Sequence, residues 1–328
     1  MLKRLSGFLL VAGIILGLSA CGASGTAPQA SSEDGDDRIS IVATVFAEYD
    51  WTREILGDRL QDVDLRLLCN GVDMHSYQPS VDDMMEIADC DLFIYVGGES
   101  DDWVDDALDE GTNPERRVIN LMEVLGSSAR EEEHVEGMAE EKGEEDEEEP
   151  ELDEHVWLSL KNAKLFVAEI SDALSDIDPD HEEEYTSNAA AYTNSLSELD
   201  AAYQTAVDEG RVSTLLFGDR FPFLYLMKDY GLSYYAAFAG CSAETEASFE
   251  TIAFLSEKAG ELGLHTVLKI EGDGNRVAGT IAQNVPDEDM KVAVMDSMQG
   301  TTLKDIESGA TYLGIMQDNL AVLKEALE

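Results

Sequence analysis

Short apolar runs alternate along this chain with stretches of helical spacing, and the alternation predicts the class of fold. Runs of apolar and β-branched residues without helical periodicity are typical of buried strands, and they occupy residues 39–46, 63–68, 91–96, 213–217, 233–238, 266–270 and 291–295. Helical patterns stand between them, through Trp51 and Ile55 and at residues 80–88, 103–108, 221–230, 247–259, 276–284 and 315–327. Strands that alternate with helices indicate an α/β fold built on mainly parallel sheets.

A long helical stretch separates the two strand-containing regions. The pattern runs from residue 161 to residue 209 and breaks at Pro179, which ends one helix and suits the start of another. We therefore predict two α/β lobes, at residues 39–180 and 210–328, bridged by one long rigid helix at residues 181–209. Ligands of such sheets bind outside the carboxyl ends of the strands, so the cleft between the lobes is the expected site.

The first residues have the features of a secretory signal. Lys3 and Arg4 precede an apolar run at residues 7–18, which is shorter than the ~20 residues that a membrane-spanning helix needs. The run leads into Leu-Ser-Ala-Cys, which resembles a bacterial lipobox. We predict a lipoprotein signal peptide at residues 1–20, acylation of Cys21 and a flexible tether at residues 21–38. An ordinary cleaved signal with an incidental cysteine is the alternative.

The chain is strongly acidic. Its formal net charge is −49, and loss of Lys3 and Arg4 with the signal would make it −51. This balance argues against nucleic acid or an anionic membrane surface as a partner and favours cations, although a solubilising acidic surface would have the same composition. Residues 131–154 contain fifteen Asp or Glu. We predict a mobile acidic loop there, because such a segment cannot bury a core.

Motifs of enzymatic chemistry are missing from the sequence. It contains no glycine-rich phosphate loop, no Gly-x-Ser-x-Gly nucleophile elbow and no His-Glu-x-x-His motif, which are the local patterns that phosphate transfer, ester hydrolysis and zinc proteolysis use. We therefore predict a binding protein and not an enzyme.

Two of the five histidines lie where binding sites are expected. His75 follows the strand predicted at residues 63–68, and His155 follows the acidic segment directly before a helix; loops at the ends of elements often carry function. Neutral imidazole is a common ligand of zinc. Two histidines leave a zinc shell incomplete, because zinc typically takes four ligands. A solvated side chain is the alternative for either histidine alone.

Side chains from the second lobe are candidates to complete such a shell. Asp219 follows the strand predicted at residues 213–217 and Glu271 follows the strand at residues 266–270, although each could equally be a helix cap or a surface charge. Cys241 also follows a strand and is a softer candidate ligand. With Cys21 acylated, three cysteines remain, so at least one thiol is unpaired; the three are Cys69, Cys90 and Cys241.

Three separated stretches, which carry two histidine motifs, resemble one family of metal-binding proteins. Residues 73–79 read Asp-Met-His-Ser-Tyr-Gln-Pro, residues 88–98 read Ala-Asp-Cys-Asp-Leu-Phe-Ile-Tyr-Val-Gly-Gly, and residues 153–160 read Asp-Glu-His-Val-Trp-Leu-Ser-Leu. These stretches resemble the zinc- and manganese-binding lipoproteins of ABC importers, from about residue 39 to residue 328. The resemblance implies that His75 and His155 ligate a metal ion held between two α/β lobes, which one long, stiff helix bridges.

The resemblance also implies the remaining ligands. The family's third ligand, a His or Glu, falls where this chain has Gly218, so Asp219, one residue further on, is the expected substitute. Glu271 best matches the fourth ligand, an acid. The family's loop before the second histidine motif is usually rich in histidine. Here it is acidic, and we expect it either to raise the local cation concentration or to be an unstructured insertion.

The expected function follows from this family resemblance. We expect a monomeric, extracytoplasmic protein, anchored to the membrane by its N-terminal lipid, that captures Zn²⁺ and delivers it to an importer permease with its ATPase. Mn²⁺ is the alternative cation, because carboxylate ligands are harder than imidazole. Capture should weaken below about pH 6, since histidine must be neutral to bind a metal and its reference pKa is ~6.5.

Three other functions remain open from the sequence. The first is an adhesin-type lipoprotein of the same fold. The second is a metal-dependent hydrolase that uses both histidines and a carboxylate around an open coordination position. The third is a protein that binds an organic or organometallic ligand through aromatic residues near the cleft, namely Trp51, Tyr77 and Trp157.

Overall fold

Parallel strands form the centre of each half of the computed structural model, which describes residues 38–109, 111–139, 151–242, 246–272, 276–287 and 289–328. The predicted signal peptide, Cys21 and residues 21–37 of the predicted tether lie outside these ranges, as do residues 140–150 of the acidic segment. Within the described ranges, every helix is either too short or too polar to cross a membrane.

The first lobe alternates strands and helices. Its elements are β1 (Ile39–Ala43), α1 (Phe46–Leu56), β2 (Val63–Leu67), α2 (Val81–Asp89), β3 (Leu92–Tyr95), α3 (Val104–Asp109), β4 (Arg117–Asn120) and α4 (Leu121–Leu125). The four strands are all parallel and lie in the order β2-β1-β3-β4.

The second lobe repeats this plan. Its elements are β5 (Thr214–Arg220), α7 (Leu224–Tyr230), β6 (Ser233–Phe238), α8 (Phe249–Leu262), β7 (Thr266–Lys269), α9 (Val277–Asn284), β8 (Lys291–Val294), α10 (Leu303–Glu307) and α11 (Tyr312–Ala326), with α5 (Leu160–Ile177) and α6 (Glu182–Glu209) preceding them. The strands are again parallel, in the order β6-β5-β7-β8. In both sheets the strand order reverses at the first strand, so that β1 lies between β2 and β3 and β5 lies between β6 and β7. Such switch points are where open α/β sheets bind ligands.

The bridging helix is α6, 28 residues long. Pro179 lies in the turn between α5 and α6, as the sequence predicts, and three glutamates in the first turn of α6 suit the positive end of the helix dipole. α6 packs against α5, α1 and α11, so it contacts elements of both lobes. The predicted fold, two α/β lobes bridged by one long helix, is confirmed.

A continuous core joins the two lobes. Trp51 of α1 is fully buried, and its ring lies 5.0 Å from that of Tyr312 at the start of α11. The Tyr312 hydroxyl donates to the backbone oxygen of Trp157, and the Trp157 indole donates to the backbone oxygen of Ser297. Tyr77 donates its hydroxyl to Asp83. Trp51 and Trp157 therefore pack the core between the lobes, which removes the observation that favoured an organic ligand.

Some element boundaries differ from those predicted. The strand predicted at residues 39–46 ends at Ala43 and α1 begins at Phe46. The buried Glu48 carboxyl group accepts from the backbone N–H groups of Thr44 and Val45 through Oε2 and so starts the helix there. β4 was not predicted, since it lies at a sheet edge and buries only Ile119 well.

Candidate metal centre

His75 lies on a short turn at the carboxyl end of β2. The turn is a 3₁₀ helix, Met74–Ser76, and Asp73 caps it by accepting from the backbone N–H of His75 at 3.1 Å. His75 Nδ1 lies 2.7 Å from Ser100 Oγ and 3.3 Å from Glu154 Oε2. With Nδ1 held by these two contacts, Nε2 of the ring faces His155.

His155 lies directly before another 3₁₀ turn, Val156–Leu158, and is completely buried. Asp153 Oδ1 accepts from the backbone N–H of His155 at 2.9 Å and lies 3.2 Å from its Nδ1. A carboxylate on the outer nitrogen of an imidazole is the usual support of a metal-binding histidine, because it fixes the tautomer and raises the basicity of the other nitrogen.

The two histidines meet through their inner nitrogens. Nε2 of His75 and Nε2 of His155 are 3.1 Å apart. A neutral imidazole carries one N–H, and the tautomers with that N–H on Nδ1, facing Glu154 and Asp153, would present both Nε2 electron pairs to the same point. Two nitrogens bound to one tetrahedral zinc at 2.0–2.1 Å would be about 3.3–3.4 Å apart. The observed spacing is therefore close to that of two ligands of a single ion.

The second lobe brings a thiol to the same point. Cys241 follows β6, and one ligand atom from each of His75, His155 and Cys241 lies within 4.8 Å of the others. Cys241 donates its backbone N–H to Glu132 Oε1 at 2.9 Å. The preceding residue, Gly240, lies against His155: a Cβ there would be 3.1 Å from His155 Cε1. The backbone can approach the ring this closely because Gly240 has no side chain.

Two other side chains from the second lobe hold the histidine turn. Arg220 donates to Asp73 Oδ2 at 2.6 Å. In the amide orientation that satisfies its neighbours, Gln299 donates to both Asp73 oxygens at 2.7 Å and 2.9 Å, and its oxygen accepts from His155 Nε2 at 3.1 Å. Burial raises the pKa of Asp73, but Arg220 and His75 outweigh it and hold that pKa below its usual range. Asp73 is thus an ionised link between the lobes.

Negative charge accumulates around the cluster. Burial raises the pKa of Glu154, but hydrogen bonds from His75 and Ser100 outweigh it, and the net pKa is lowered. Burial also raises the pKa of the Cys241 thiol, and the carboxylates of Glu132, Asp153 and Glu154 raise it further. Imidazole nitrogens and a thiol surrounded by carboxylates form a site whose charge a divalent cation would balance.

The carboxylates predicted as second-lobe ligands have other partners. Asp219 lies within β5, where a bulge extends the strand to Arg220, and its Oδ2 accepts from the backbone N–H of Ile270 at 3.2 Å. Glu271 accepts from the backbone N–H groups of Ser297 and Gly300 and from the Ser297 hydroxyl. In the described ranges, the group of ligand atoms within 4.8 Å contains neither residue. Their role as ligands stays a prediction.

The ends of the acidic segment are hydrogen-bonded to the site. Glu131 bridges to Leu152, and Glu132 and Asp153 donate their backbone N–H groups to Glu151 and Arg130. Further along, the backbone N–H of Ala139 donates to the oxygen of Ala237 in β6. The mobile loop was predicted for all of residues 131–154; its described parts, residues 131–139 and 151–154, form these hydrogen bonds beside the candidate metal centre, and residues 140–150 lie outside the described ranges.

Comparison with known proteins identifies the family. Residues 41–326 match the ZnuA family model, described as the zinc-uptake complex component A, periplasmic. The chain belongs to the ZnuA family. It is 31% identical over 328 residues to the high-affinity zinc uptake system protein ZnuA of Bacillus subtilis, covering 100% of this chain and 99% of that protein. The predicted family resemblance is confirmed.

Two further relatives come from Streptococcus pneumoniae. The zinc-binding lipoprotein AdcA is 29% identical over 302 residues, which are 91% of this chain but only 58% of AdcA. The crystal structure of the Zn(II)-bound ZnuA-like domain of AdcA superposes with a TM-score of 0.67 at 28% identity, covering 88% of this chain and 99% of that domain. The ZnuA family is one of solute-binding transport components and not of enzymes.

Gly218 shows why this ZnuA-family chain departs from the ligand pattern that the resemblance implies. A Cβ at Gly218 would lie 2.4 Å from the Cα and 2.8 Å from the Cβ of Ala278 in α9. No side chain fits there without moving a helix. The sequence analysis missed Arg220, Glu132 and Gln299, because nothing in the local sequence around them distinguishes them from surface residues.

Proposed function

We propose that this protein captures zinc outside the cytoplasm and delivers it to a membrane importer consisting of a permease and an ATPase. The observation that carries the proposal is the pair of imidazole Nε2 atoms 3.1 Å apart between the lobes, each ring backed by a carboxylate. Membership of the ZnuA family and the zinc named in the descriptions of its relatives support the same cation.

His75 and His155 are the proposed ligands from the first lobe. Asp153 and Glu154 orient them and favour the electron pair on the inner nitrogen. Asp219 and Glu271 remain proposed donors from the second lobe. Glu271 lies outside the cluster of His75, His155 and Cys241, so its entry into the shell would require a movement that carries its hydrogen-bonded loop at Ser297 and Gly300 toward the histidines.

The location of the protein is part of the proposal. An N-terminal lipid on Cys21 would hold a monomer at the outer face of the membrane, next to the importer. The word lipoprotein in the description of AdcA supports this arrangement. Metabolic labelling with a fatty acid, in the wild type and in Cys21→Ala, tests it: label in the variant would contradict acylation at this cysteine.

The capture function is tested by metal content and by competition with a chromogenic chelator, using tagless protein without the signal peptide. We expect one zinc per chain in the wild type and loss of affinity by orders of magnitude in His75→Ala and in His155→Ala. His265→Ala is the matched control, because His265 is exposed and pairs only with Asp287 among the contacts described. Zinc that is indifferent to His75 and His155, or no zinc in the wild type, would refute the proposal.

Manganese is the alternative cation, and the same titration decides between the two. We expect Mn²⁺ to compete weakly, because imidazole suits zinc better than it suits manganese. Equal displacement of zinc by manganese at comparable concentrations would overturn the choice of cation while leaving the capture function in place.

A further inference from the structure

We infer that the Cys241 thiolate is a zinc ligand, so that the metal centre has a His75, His155 and Cys241 donor set with a preference for soft cations. The inference rests on the proposed zinc capture and names a ligand of that same site. It differs from the expectation from sequence, in which Asp219 and Glu271 supply the second-lobe ligands.

Proximity is the first support. Ligand atoms of Cys241, His75 and His155 lie within 4.8 Å of one another, although they come from opposite lobes. A single zinc ion with bonds of about 2.0–2.3 Å can span such a cluster.

The backbone around Cys241 is the second support, because it is built to bring this residue to the histidines. Gly240 allows the chain to lie against the His155 ring, and Glu132 holds the Cys241 backbone N–H at 2.9 Å. The backbone N–H of Glu132 donates in turn to the backbone oxygen of Glu151. The base of the acidic segment therefore connects the thiol to the segment of His155 by a short hydrogen-bonded path.

Tyr225 strengthens this connection. Its hydroxyl accepts from the backbone N–H of Arg130 at 3.0 Å and donates to the backbone oxygen of Asp153 at 3.1 Å. Asp153 is the carboxylate that orients His155. A second-lobe helix thus fixes the base of the acidic segment and the support of one ligand together.

In the part of the chain that the structure describes, the cluster of candidate ligand atoms contains none of the competing residues, which is the third support. Gly218 has no room for a side chain beside Ala278. Asp219 and Glu271 both accept hydrogen bonds from backbone N–H groups. The Cys241 thiol is free, and the other two described cysteines are also free and are buried, so no disulfide within the described ranges uses this sulfur.

The binding step balances simply. Zn²⁺ displaces the proton of the Cys241 thiol, a sulfur–zinc bond forms, and one proton is released to solvent. Thiolate is a soft ligand that selects zinc and its heavier analogues, whereas manganese prefers oxygen. Cys241 would thus discriminate against manganese more strongly than a carboxylate in the same place.

X-ray absorption on zinc-loaded wild-type protein is the direct test. We expect one sulfur scatterer at about 2.3 Å beside nitrogen at about 2.0–2.1 Å. Cobalt-loaded protein should show a thiolate-to-cobalt charge-transfer band that disappears in Cys241→Ser and persists in Cys90→Ala. Zinc affinity in Cys241→Ala should fall by more than the roughly 10–100-fold that loss of an outer hydrogen-bond partner costs.

The outcomes separate this inference from the proposed function. Zinc that depends on His75 and His155, but without a sulfur scatterer and with unchanged affinity in Cys241→Ala, would overturn the thiolate ligand and leave zinc capture intact. A wild type that binds neither zinc nor cobalt would overturn both. A sulfur scatterer that is lost in Cys241→Ser establishes the ligand even if the Cys241→Ala variant folds poorly.

Discussion

Replacing Gly218 by alanine should destabilise the second lobe, although the change adds a single methyl group. The new Cβ would lie 2.4 Å from the Cα, 2.8 Å from the Cβ and 2.9 Å from the backbone nitrogen of Ala278. Two of these three atoms belong to the backbone of α9, so no rotation of a side chain can relieve the clash. Either β5 or α9 must move.

The magnitude follows from the cost of overfilling a packed core. Extra methyl groups in such positions typically cost 1–3 kcal/mol, and the backbone contacts put Gly218→Ala near the upper end, at about 3 kcal/mol. For a chain of this size, a loss of 1 kcal/mol lowers Tm by roughly 2–4 °C. We therefore expect Tm to fall by about 6–12 °C.

Gly279→Ala is the matched control, since Gly279 lies in α9 next to Ala278 and a Cβ there would contact nothing. Alanine in place of a helical glycine should stabilise by about 0.5–1 kcal/mol. Thermal unfolding is followed by circular dichroism on zinc-free protein, because bound zinc would raise Tm by mass action. A Gly218→Ala variant that melts within a degree of the wild type would refute the packing argument.

Two further predictions concern buried carboxylates. Asp153→Asn should weaken zinc binding about 10–100-fold by removing the anion that orients His155, as measured by chelator competition; unchanged affinity would contradict that role. Burial raises the pKa of Glu48 from 4.5 to about 8. The folded state therefore keeps a proton that the unfolded state releases, and stability should fall as pH rises from about 4.5 to 8, by up to about 1.4 kcal/mol per pH unit. In urea unfolding of zinc-free protein, the free energy of unfolding of Glu48→Gln should depend less on pH than that of the wild type. Parallel profiles for the two proteins would show that Glu48 does not hold a proton in the folded state.

The sequence was sufficient for the fold because each element carries its own periodic signal. The strand predicted at residues 233–238 is β6 with the same bounds, and Pro179 marks the break before the bridging helix. His75 and His155 were found for the same local reason: each stands at the end of an element, within a stretch that resembles the family. Their separation of 80 residues closes to 3.1 Å in the structure.

The second-lobe half of the site could not be predicted in the same way. The proximity of Arg220 to Asp73 and of Gln299 to His155 depends on how one lobe packs against the other, which no local pattern encodes. The bulge in β5 keeps Asp219 inside the strand, whereas the apolar run alone suggests that the strand ends at residue 217. The edge strand β4 was missed because it has no apolar run: of its four residues only Ile119 is buried.

Tyr312 completes packing and hydrogen bonds of residues that are synthesised long before it. Its backbone N–H donates to the Asp50 carboxylate, 262 residues earlier in the chain, and its hydroxyl donates to the backbone oxygen of Trp157, 155 residues earlier. At synthesis rates of about 5–20 residues per second, α1 waits roughly 13–52 s for the residue that completes its surroundings. Until then the buried Trp51 lacks the Tyr312 ring that packs 5.0 Å from it, and Asp50 lacks the backbone N–H from which it accepts. The core of the first lobe is therefore completed by a residue that is made almost at the end of the chain.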